Sequence, residues 1–145
     1  MVQLRFIFAR GGELVADLND KTPATQRELL RILPVDSELR HTRWCGREVF
    51  LPVVTGVPLV QENQTGIVSK FDVAYWREWE AAPGVQPAET LSFYYGAERL
   101  QFHGGLLTVN VIGRIRWEQE AMLDEIGERI WRCGFEAVRV ERISE

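Results

Sequence analysis

A glutamate between two aromatic residues is the feature of this sequence that most suggests chemistry. Glu48 lies between Trp44 and Phe50 on a predicted strand. Apolar surroundings disfavour an ionised carboxylate, so the Glu48 pKa would be raised and the group could serve as an acid or a base. An ion pair with Arg43 or Arg47 at the rim of the fold is the alternative, and it is preferred for this residue. The sequence leaves both alternatives open.

Two asparagines offer a similar choice between structure and binding. Asn63 follows Glu62 in a predicted loop, where it would either face a ligand or stabilise a turn through its side chain. Asn110 stands in an otherwise apolar run from 106 to 112. A buried amide needs hydrogen-bond partners, so Asn110 either ties strands together or contacts a ligand.

Aromatic pairs occur in two predicted strands. Tyr75-Trp76 and Tyr94-Tyr95 would offer flat surfaces with polar tips, which suit a planar amide or a ring. Packing in an aromatic core is the alternative, and it is preferred for Trp76 and Phe93. Taken together, these considerations predict a ligand-binding set comprising Arg43, Glu48, Asn63, Tyr75, Tyr95 and Asn110.

Patterns for metal binding or for a nucleophile are weak. His41, Cys45 and Glu48 are close in sequence and His103 could join them from another strand, but HxH and HExxH spacings are absent. We therefore predict no metal site and no cofactor. Cys45 and Cys133 lack CxxC spacing, which favours buried free thiols in a reducing cytosol.

Composition is that of an ordinary soluble domain. The 145 residues, 46% hydrophobic and 26% charged, fit one domain spanning 1–145. The net charge of −4 comes from interspersed charges without the basic stripe that a nucleic-acid partner requires. No apolar run approaches the roughly 18 residues that span a membrane, and no signal peptide is evident. A cytoplasmic location is therefore expected.

The first third of the chain predicts a hairpin and a helix. Residues 2–9 and 13–18 alternate in polarity around the turn Gly11-Gly12, which is typical of a β-hairpin. A hydroxyl cap followed by proline, Thr22-Pro23, predicts the start of a helix, and Pro34 predicts its end.

Short strands are predicted through the middle of the chain, at 41–53 with a bulge near Gly46, and at 67–76, 90–95, 98–103 and 106–112. Residues 77–88 contain Pro83-Gly84 and Pro87 and are predicted to leave the sheet. Their Trp79 and Val85 are more apolar than a free loop needs.

A second helix precedes a final strand at 135–143. It is predicted from one apolar stripe, from a cap at Gly134 and from the i,i+4 pairs Glu125–Arg129 and Glu128–Arg132. The stripe consists of Leu123, Ile126, Ile130 and Cys133.

The order of elements indicates a mainly β fold with two α-helices. Short strands with regular turns favour a closed β-barrel, because closure removes exposed strand edges. The two helices would cap the open ends of such a barrel. An α+β sandwich is also compatible with the same periodicity.

Five segments carry a family resemblance over most of the chain. They are HTRWCGRE at 41–48, Glu62-Asn63, DVAYW at 72–76, FYYG at 93–96, and GLL at 105–107 leading to Asn110. Together they resemble the cyclophilin-like superfamily and, within it, an uncharacterised bacterial family known as a domain of unknown function. The resemblance implies a closed cyclophilin-like β-barrel.

The resemblance fails at the residues of the active prolyl isomerases in that superfamily. Those enzymes carry arginine directly after Phe-His, then Gln-Gly-Gly-Asp, Met-Ala-Asn and Ser-Gln-Phe-Phe. Here Thr42 separates His41 from Arg43, and only Arg43 and Asn110 could correspond. The aromatic and glutamine residues of a proline pocket are missing. The expectation is therefore a domain without prolyl isomerase activity.

Three functions stay open. The favoured one is binding of a small amide- or carboxylate-containing molecule at the barrel mouth, by analogy with superfamily enzymes that act on urea-like and cyclic amide substrates. Whether the domain is also an enzyme is undecided. The second is a self-associating module, a homo-oligomer or an accessory subunit of a metabolic enzyme, suggested by the apolar segment 77–88. The third is residual peptidyl-prolyl isomerase activity.

Overall fold

The N-terminal hairpin forms as predicted, with strand β1 at Val2–Phe8 and strand β2 at Glu13–Leu18. The structure, a computed structural model, describes residues 2–102 and 105–144. Leu4, Phe6 and Leu14 are almost completely buried, because alternate side chains of a strand share one face. This face of the hairpin becomes part of the core.

The rest of the chain forms two helices and mostly short strands. The helices are α1 at Pro23–Ile32 and α2 at Glu120–Cys133, the latter preceded by a 3-10 turn at Trp117–Gln119. The strands are β3 Val35–His41, β4 Glu48–Pro52, β5 Gln64–Thr65, β6 Ile67–Val68, β7 Asp72–Arg77, β8 Glu89–Tyr94, β9 Glu98–Arg99, β10 Gln101–Phe102, β11 Gly105–Leu106, β12 Val109–Ile115 and β13 Glu136–Ser144.

Eight strands of the described chain close into an antiparallel barrel. They follow the order β2-β1-β13-β3-β4-β8-β7-β12, and β12 pairs back onto β2. The predicted fold class, a closed barrel with two helices, is therefore confirmed, and the alternative of an open sandwich is wrong.

Closure of the barrel depends on a glycine in β12. Gly113 pairs with Leu18 of β2, and a Cβ atom added at Gly113 would lie 2.3 Å from the carbonyl oxygen of Asp17. No larger residue fits without separating the two strands, which explains why glycine occupies this position in β12.

The barrel interior is filled by side chains from the strands and from both helices. Phe6 and Phe93 meet edge to face with ring centroids 5.2 Å apart. Leu29 of α1 and Ile126 and Ile130 of α2 join the same cluster. Both helices thus contribute side chains to the barrel core. None of the described helices is long and apolar enough to cross a bilayer.

The predicted strand at 41–53 is correct only in its second half, and the strand at Val35–His41 was not predicted. Strand β3 stops at His41 and β4 starts at Glu48, so residues 42–47 form a loop instead of a bulged strand. Thr42 closes this loop, because its hydroxyl donates to the Cys45 carbonyl at 2.5 Å and its backbone N–H donates to the Glu48 carbonyl at 3.1 Å.

Other predicted strands divide into shorter pieces. The segment 67–76 separates into β6 and β7, because Phe71 adopts a φ of 81°, a value outside the extended region. The segments 98–103 and 106–112 contribute β9 to β12, and His103 and Gly104 lie outside the described residues.

Helix α2 follows its predicted stripe except at its last residue. Leu123, Ile126 and Ile130 are buried, whereas Cys133 is exposed at the end of the helix. The predicted buried thiol is thus correct for Cys45 and wrong for Cys133. Gly134 ends the helix with a φ of 78°, as expected of a glycine cap.

One predicted helix pair forms and the other does not. Arg132 lies 3.4 Å from Glu128. Arg129 instead makes two hydrogen bonds of 2.9 Å with Glu136 on β13, because that buried carboxylate requires a partner. The tertiary contact therefore replaces the predicted pair with Glu125.

Candidate functional site

Strands β4, β8, β7 and β12 carry a second, smaller hydrophobic cluster on the outer face of the barrel. Val49, Phe93 and Val73 are cross-strand neighbours that point inward. Because side chains alternate, the residues between them point outward. The outer cluster consists of Val68, Ala74, Tyr94, Leu100 and Val109, all buried. Strands β9 to β11 cover part of this face.

A cavity of about 310 Å³ opens beside this outer cluster. Its walls are mainly apolar and include Trp44, Phe50, Trp76, Phe102, Leu107 and Val109. The Phe102 ring lies 5.5 Å from the Trp44 ring and 5.8 Å from the Trp76 ring, so three aromatic residues meet at one edge. We call this space the outer-face cavity.

Besides the exposed Glu78, Glu48 brings a carboxyl group to the outer-face cavity. The Tyr94 hydroxyl donates a hydrogen bond to its Oε2 at 3.0 Å. In the part of the chain that the structure describes, Glu48 forms no ion pair with an arginine or a lysine. The predicted ion-pair alternative is therefore not formed.

Burial raises the pKa of Glu48 to about 7. The Tyr94 hydroxyl acts in the opposite direction, as does the nearby hydroxyl of Ser92, while the Glu98 carboxylate raises the pKa further. Ser92 is completely buried, and its hydroxyl stays outside hydrogen-bond geometry with every described partner. The effect of burial dominates, as expected of a carboxyl group between Trp44 and Phe50.

The two arginines near Glu48 in sequence are held elsewhere. The Arg43 guanidinium lies 4.2 Å from the centre of the Trp131 ring and donates to the Trp131 carbonyl at 2.9 Å. Arg47 runs along Gly96, and its backbone N–H donates to Glu98 Oε1 at 2.6 Å. Neither arginine lines the outer-face cavity.

Cys45 anchors one wall of the cavity and is unsuited to nucleophilic chemistry. Its Sγ donates to the Gln101 carbonyl at 3.1 Å and accepts from the Gln101 N–H at 3.2 Å. The Gln101 side chain also donates to the Trp44 carbonyl at 2.9 Å. Burial raises the pKa of the Cys45 thiol, so the reactive thiolate is disfavoured. These bonds fasten β10 to the loop 42–47.

Tyr95 faces a different, more polar cleft beside α2. His41 Nδ1 contacts the Thr42 carbonyl and therefore carries the hydrogen, so Nε2 accepts from the Tyr95 hydroxyl at 2.6 Å. Burial lowers the His41 pKa and raises the Tyr95 pKa, which keeps this pair neutral. The Tyr95 ring lies against Gly127, where an added Cβ would come within 2.4 Å of it.

Tyr75 lies inside the barrel rather than in a pocket. Its hydroxyl donates to Glu89 Oε1 at 2.6 Å, and the Thr55 backbone N–H donates to Glu89 Oε2 at 2.9 Å. Burial raises the Tyr75 pKa. Trp79, in the segment 77–88 that was predicted to leave the sheet, packs on this tyrosine and donates its Nε1 hydrogen to the Thr108 carbonyl at 2.9 Å. The predicted alternative of an aromatic core thus describes Tyr75.

Asn110 uses its whole amide within the protein. Its Oδ1 accepts from the Glu62 N–H at 3.0 Å and from the Gln64 side chain at 2.5 Å. Its Nδ2 donates to the Thr25 hydroxyl and the Val60 carbonyl, each at 2.9 Å. The residue therefore has the structural role predicted as one alternative, and it joins β12 to α1 and to the loop before β5.

The loop before β5 has two further fixed residues. Asn63 adopts a φ of 46°, but its side chain donates to the Val111 carbonyl of β12 at 2.8 Å, so it fastens the loop to the sheet instead of stabilising its own turn as one alternative predicted. The Glu62 carboxylate accepts from the Thr25 and Ala24 N–H groups and thus caps α1 in place of Thr22, which makes no such bond. Burial opposes ionisation, yet these bonds lower the Glu62 pKa.

The six predicted ligand-binding residues do not line one cavity. Of these six residues, Glu48 is the one that lines the outer-face cavity. This cavity lies outside the barrel rather than at its mouth. Whether any of the six contacts a ligand stays a prediction. The prediction omitted Thr42, Cys45, Thr90, Phe102, Leu107 and Val109, which also line the cavity. The alternation of side chains along β8 and β12 would have identified Thr90 and Val109 as outward-facing.

Metal ligands do not converge among the described residues, since no three His, Cys, Asp or Glu side chains come together there. The predicted contribution of His103 to such a cluster falls outside the described residues.

Comparisons with known proteins agree with the fold and leave the activity open. The family model described as "Protein of unknown function (DUF3830)" matches residues 7–142. No curated protein matches the chain. Similar solved structures include McbB in complex with tryptophan, at 20% identity and a TM-score of 0.69 over 98% of this chain. The chain corresponds to 45% of McbB, less than half of its length.

Two further solved structures cover nearly the whole chain. The hypothetical protein AF2241 from Archaeoglobus fulgidus is 26% identical, with a TM-score of 0.60 over 98% of this chain and 95% of its own. The Mimivirus cyclophilin is 12% identical, with a TM-score of 0.57 over 97% of this chain and 85% of its own. The cyclophilin likeness establishes the barrel type and nothing about activity.

Proposed function

The chain belongs to the DUF3830 family of proteins of unknown function, and we propose that it binds a small molecule in the outer-face cavity with Glu48 as the polar contact. The observation that carries this proposal is a carboxyl group without a cationic partner in the wall of an apolar cavity. Pockets for small molecules combine such walls with a few polar groups.

The ligand chemistry follows from what the described lining contains and lacks. A carboxyl at Glu48 accepts hydrogen bonds from an amide, an amine or a ring N–H. No lysine or arginine is found among the described lining residues, so a ligand carboxylate would meet repulsion without a counter-charge. Of the two ligand classes predicted from the sequence, the amide is favoured over the carboxylate.

The shape of the walls favours a flat, apolar group. Trp44, Phe50, Trp76 and Phe102 offer aromatic surface to a ring. McbB, which shares the fold, is described in complex with tryptophan, whose ring and amine fit this proposal and whose carboxylate does not. That agreement is an analogy between folds and supports the proposal only to that extent.

Glu48 would also be able to transfer protons to or from a bound ligand. A group whose pKa is about 7 is populated in both protonation states near neutral pH. Catalysis would need a reacting atom within hydrogen-bond reach of Oε1 or Oε2. Binding is therefore the primary proposal, and proton transfer is the chemistry that the site could add.

Prolyl isomerase activity is not part of the proposal. Arg43 and Asn110 are the positions that could correspond to residues of the active isomerases. The first stacks on Trp131 and the second fills its hydrogen bonds within the protein. Both are engaged away from the outer-face cavity.

Self-association stays a prediction. One residue that suggested it, Trp79, packs on Tyr75 within the chain. Another, Val85, is exposed. Light scattering after size exclusion, at several protein concentrations, measures the mass directly.

Isothermal titration with benzamide and indole tests the proposed site. Thr90 lines the cavity, so Thr90→Phe should fill the space and abolish binding. Glu118 is exposed and outside the cavity, so the Glu118→Gln variant should bind as the wild type does. Circular dichroism checks that the variants fold. Equal affinity of the wild type and a folded Thr90→Phe variant, or no binding by either compound, would contradict the proposal.

A further inference from the structure

A second cavity adjoins the first on the outer face of the barrel. It measures about 440 Å³, and Trp76, Glu78, Phe102 and Leu107 line both spaces. Trp79 and Glu80 belong to the second space alone. Because four residues are shared, a molecule longer than one ring could occupy both cavities at once.

The two cavities together collect acidic groups without cations. Glu48 lies in the first, Glu78 at the boundary and Glu80 in the second. Elsewhere on the described chain many carboxylates are close to an arginine or a lysine, as Asp36 is to Arg139 at 2.8 Å. No such pair involves these three glutamates in the residues that the structure describes, and no lysine or arginine is found among the described lining residues of either cavity.

The acidic groups lie beside aromatic faces. Trp76 and Trp79 line the second cavity with Glu80, and Trp79 is fixed by its hydrogen bond to Thr108. A cation gains both from nearby carboxylates and from the electron-rich face of an indole ring. An apolar cleft with charges of one sign also concentrates ligands of the opposite sign.

We propose that the ligand of the outer-face cavity is an extended organic cation, with an apolar ring beside Glu48 and an ammonium group in the adjoining cavity near Glu78 and Glu80. This inference rests on the proposed function of the first cavity and names its ligand class. It assigns Glu80 as a specificity residue, because Glu80 lines the second cavity alone and its carboxylate makes no hydrogen bond or ion pair with the described residues.

A matched series of phenylalkyl compounds tests the inference. Benzylamine and 4-phenylbutylamine differ in reach, while 4-phenylbutanol and 4-phenylbutyrate match the longer amine with neutral and negative ends. Titration calorimetry at low and high salt gives each affinity. The longer amine should bind about fivefold more tightly than the alcohol at low salt, a gain typical of one partly exposed cation. The carboxylate should bind most weakly.

Two single-residue variants separate the second cavity from a general charge effect. Glu80→Gln removes one charge from the second cavity and should bring the amine and the alcohol closer in affinity. Glu118→Gln removes one charge elsewhere on the surface and should leave the preference unchanged. Glu78 is a poorer choice, because its Oε1 accepts from the Ala88 N–H at 2.7 Å and supports the loop.

The outcomes distinguish this inference from the function on which it rests. If 4-phenylbutanol and 4-phenylbutylamine bind equally in the wild type, and Thr90→Phe still abolishes both, the cavity binds ligands and the cationic class is wrong. An unchanged preference for the amine in Glu80→Gln would likewise overturn the role of the second cavity. If benzamide and indole bind but no compound of the series does, the inference alone fails. If none of these compounds binds, the proposed function fails together with the inference.

Discussion

The Tyr94 hydroxyl donates its hydrogen to Glu48 Oε2 across two paired strands, at 3.0 Å. Tyr94 is completely buried in the outer hydrophobic cluster, so its position is fixed by packing. Glu48 is thereby held at the wall of the outer-face cavity, where water does little to stabilise the charge of an ionised carboxylate. Burial raises the Tyr94 pKa well above its usual value, and the nearby Glu48 carboxylate raises it further, so Tyr94 stays a hydrogen donor at neutral pH.

Replacing Glu48 by glutamine should stabilise the protein at high pH. The folded-state pKa is raised to about 7 from 4.5, so the stability linked to this group is present below pH 4.5 and is lost as the pH rises through 7. Glu48→Gln removes the buried charge and should increase the free energy of unfolding at pH 8.5 by about 3 kcal/mol. Urea unfolding at pH 4 and pH 8.5 measures the difference. Equal stability of the two proteins at pH 8.5 would show that the Glu48 pKa is ordinary.

Affinity for an amine should depend on the ionisation of Glu48. Only the ionised carboxylate attracts an ammonium group, so benzylamine, whose short chain keeps its ammonium group near Glu48, should bind more tightly as the pH rises from 5.5 to 8. The amine stays protonated throughout this range. Calorimetry of the wild type and of Glu48→Gln provides the comparison, and the variant should show a much flatter profile. The same slope in both proteins would assign the titration to another group.

Removing the Asn110 amide should be strongly destabilising. Asn110→Ala removes a completely buried amide and leaves the buried Thr25 hydroxyl, the Glu62 N–H and the Gln64 amide without this partner. Loss of such a network costs about 3 kcal/mol in free energy of unfolding. Asn63→Gly is the milder comparison, because Asn63 is exposed and glycine accepts its positive φ. A cost for Asn110→Ala below that of Asn63→Gly, in parallel urea titrations, would mean that the network contributes little.

A methyl group on helix α2 should test the packing of Tyr95. Alanine normally favours a helix over glycine by about 1 kcal/mol, yet a Cβ at Gly127 would lie 2.4 Å from the Tyr95 ring. Gly127→Ala should therefore destabilise the protein. In a protein that already carries Tyr95→Ala, Gly127→Ala should cost less stability than it does in the wild type, because the ring that the methyl group would meet is gone. Additive effects in this double-mutant cycle, followed by thermal unfolding, would indicate that the helix moves to accommodate the methyl group.

Peptidyl-prolyl isomerisation should proceed at the uncatalysed rate. The positions corresponding to active isomerases are Arg43 and Asn110, and both are engaged away from the outer-face cavity. A peptide assay with an active cyclophilin as the positive control measures the rate. Turnover well above background, together with its loss in Thr90→Phe, would assign isomerase activity to the cavity.

Local periodicity was enough to predict much of the fold. The hairpin, both helices and the helix-ending Pro34 and Gly134 follow from patterns within a few residues, and the structure confirms them. The exact strand limits did not follow, because loop 42–47 depends on hydrogen bonds from Thr42 and the break at Phe71 depends on a φ that many residues avoid.

The candidate site was predicted residue by residue with unequal success. The position of Glu48 between Trp44 and Phe50 indicated a carboxyl group with a raised pKa, because aromatic residues close to it in the chain disfavour its ionised form. The sequence alone could not decide between that role and an ion pair with Arg43. The Arg43 side chain stacks on Trp131 of helix α2, and a contact between residues so far apart in the chain cannot be read from local sequence. Asn110, Tyr75 and Tyr95 have polar tips whose partners come from other elements, so their roles were equally undetermined.

By itself, the sequence determined the hairpin, both helices, most of the other strands and that Glu48 has aromatic neighbours. Only the tertiary structure decided that Glu48 lines an outer-face cavity, that Arg43 and Arg47 leave it unpaired, and that a second acidic cavity adjoins the first. The physical reason is range. Periodicity and capping act over a few residues, whereas the cavity forms from strands and loops that only barrel closure brings together.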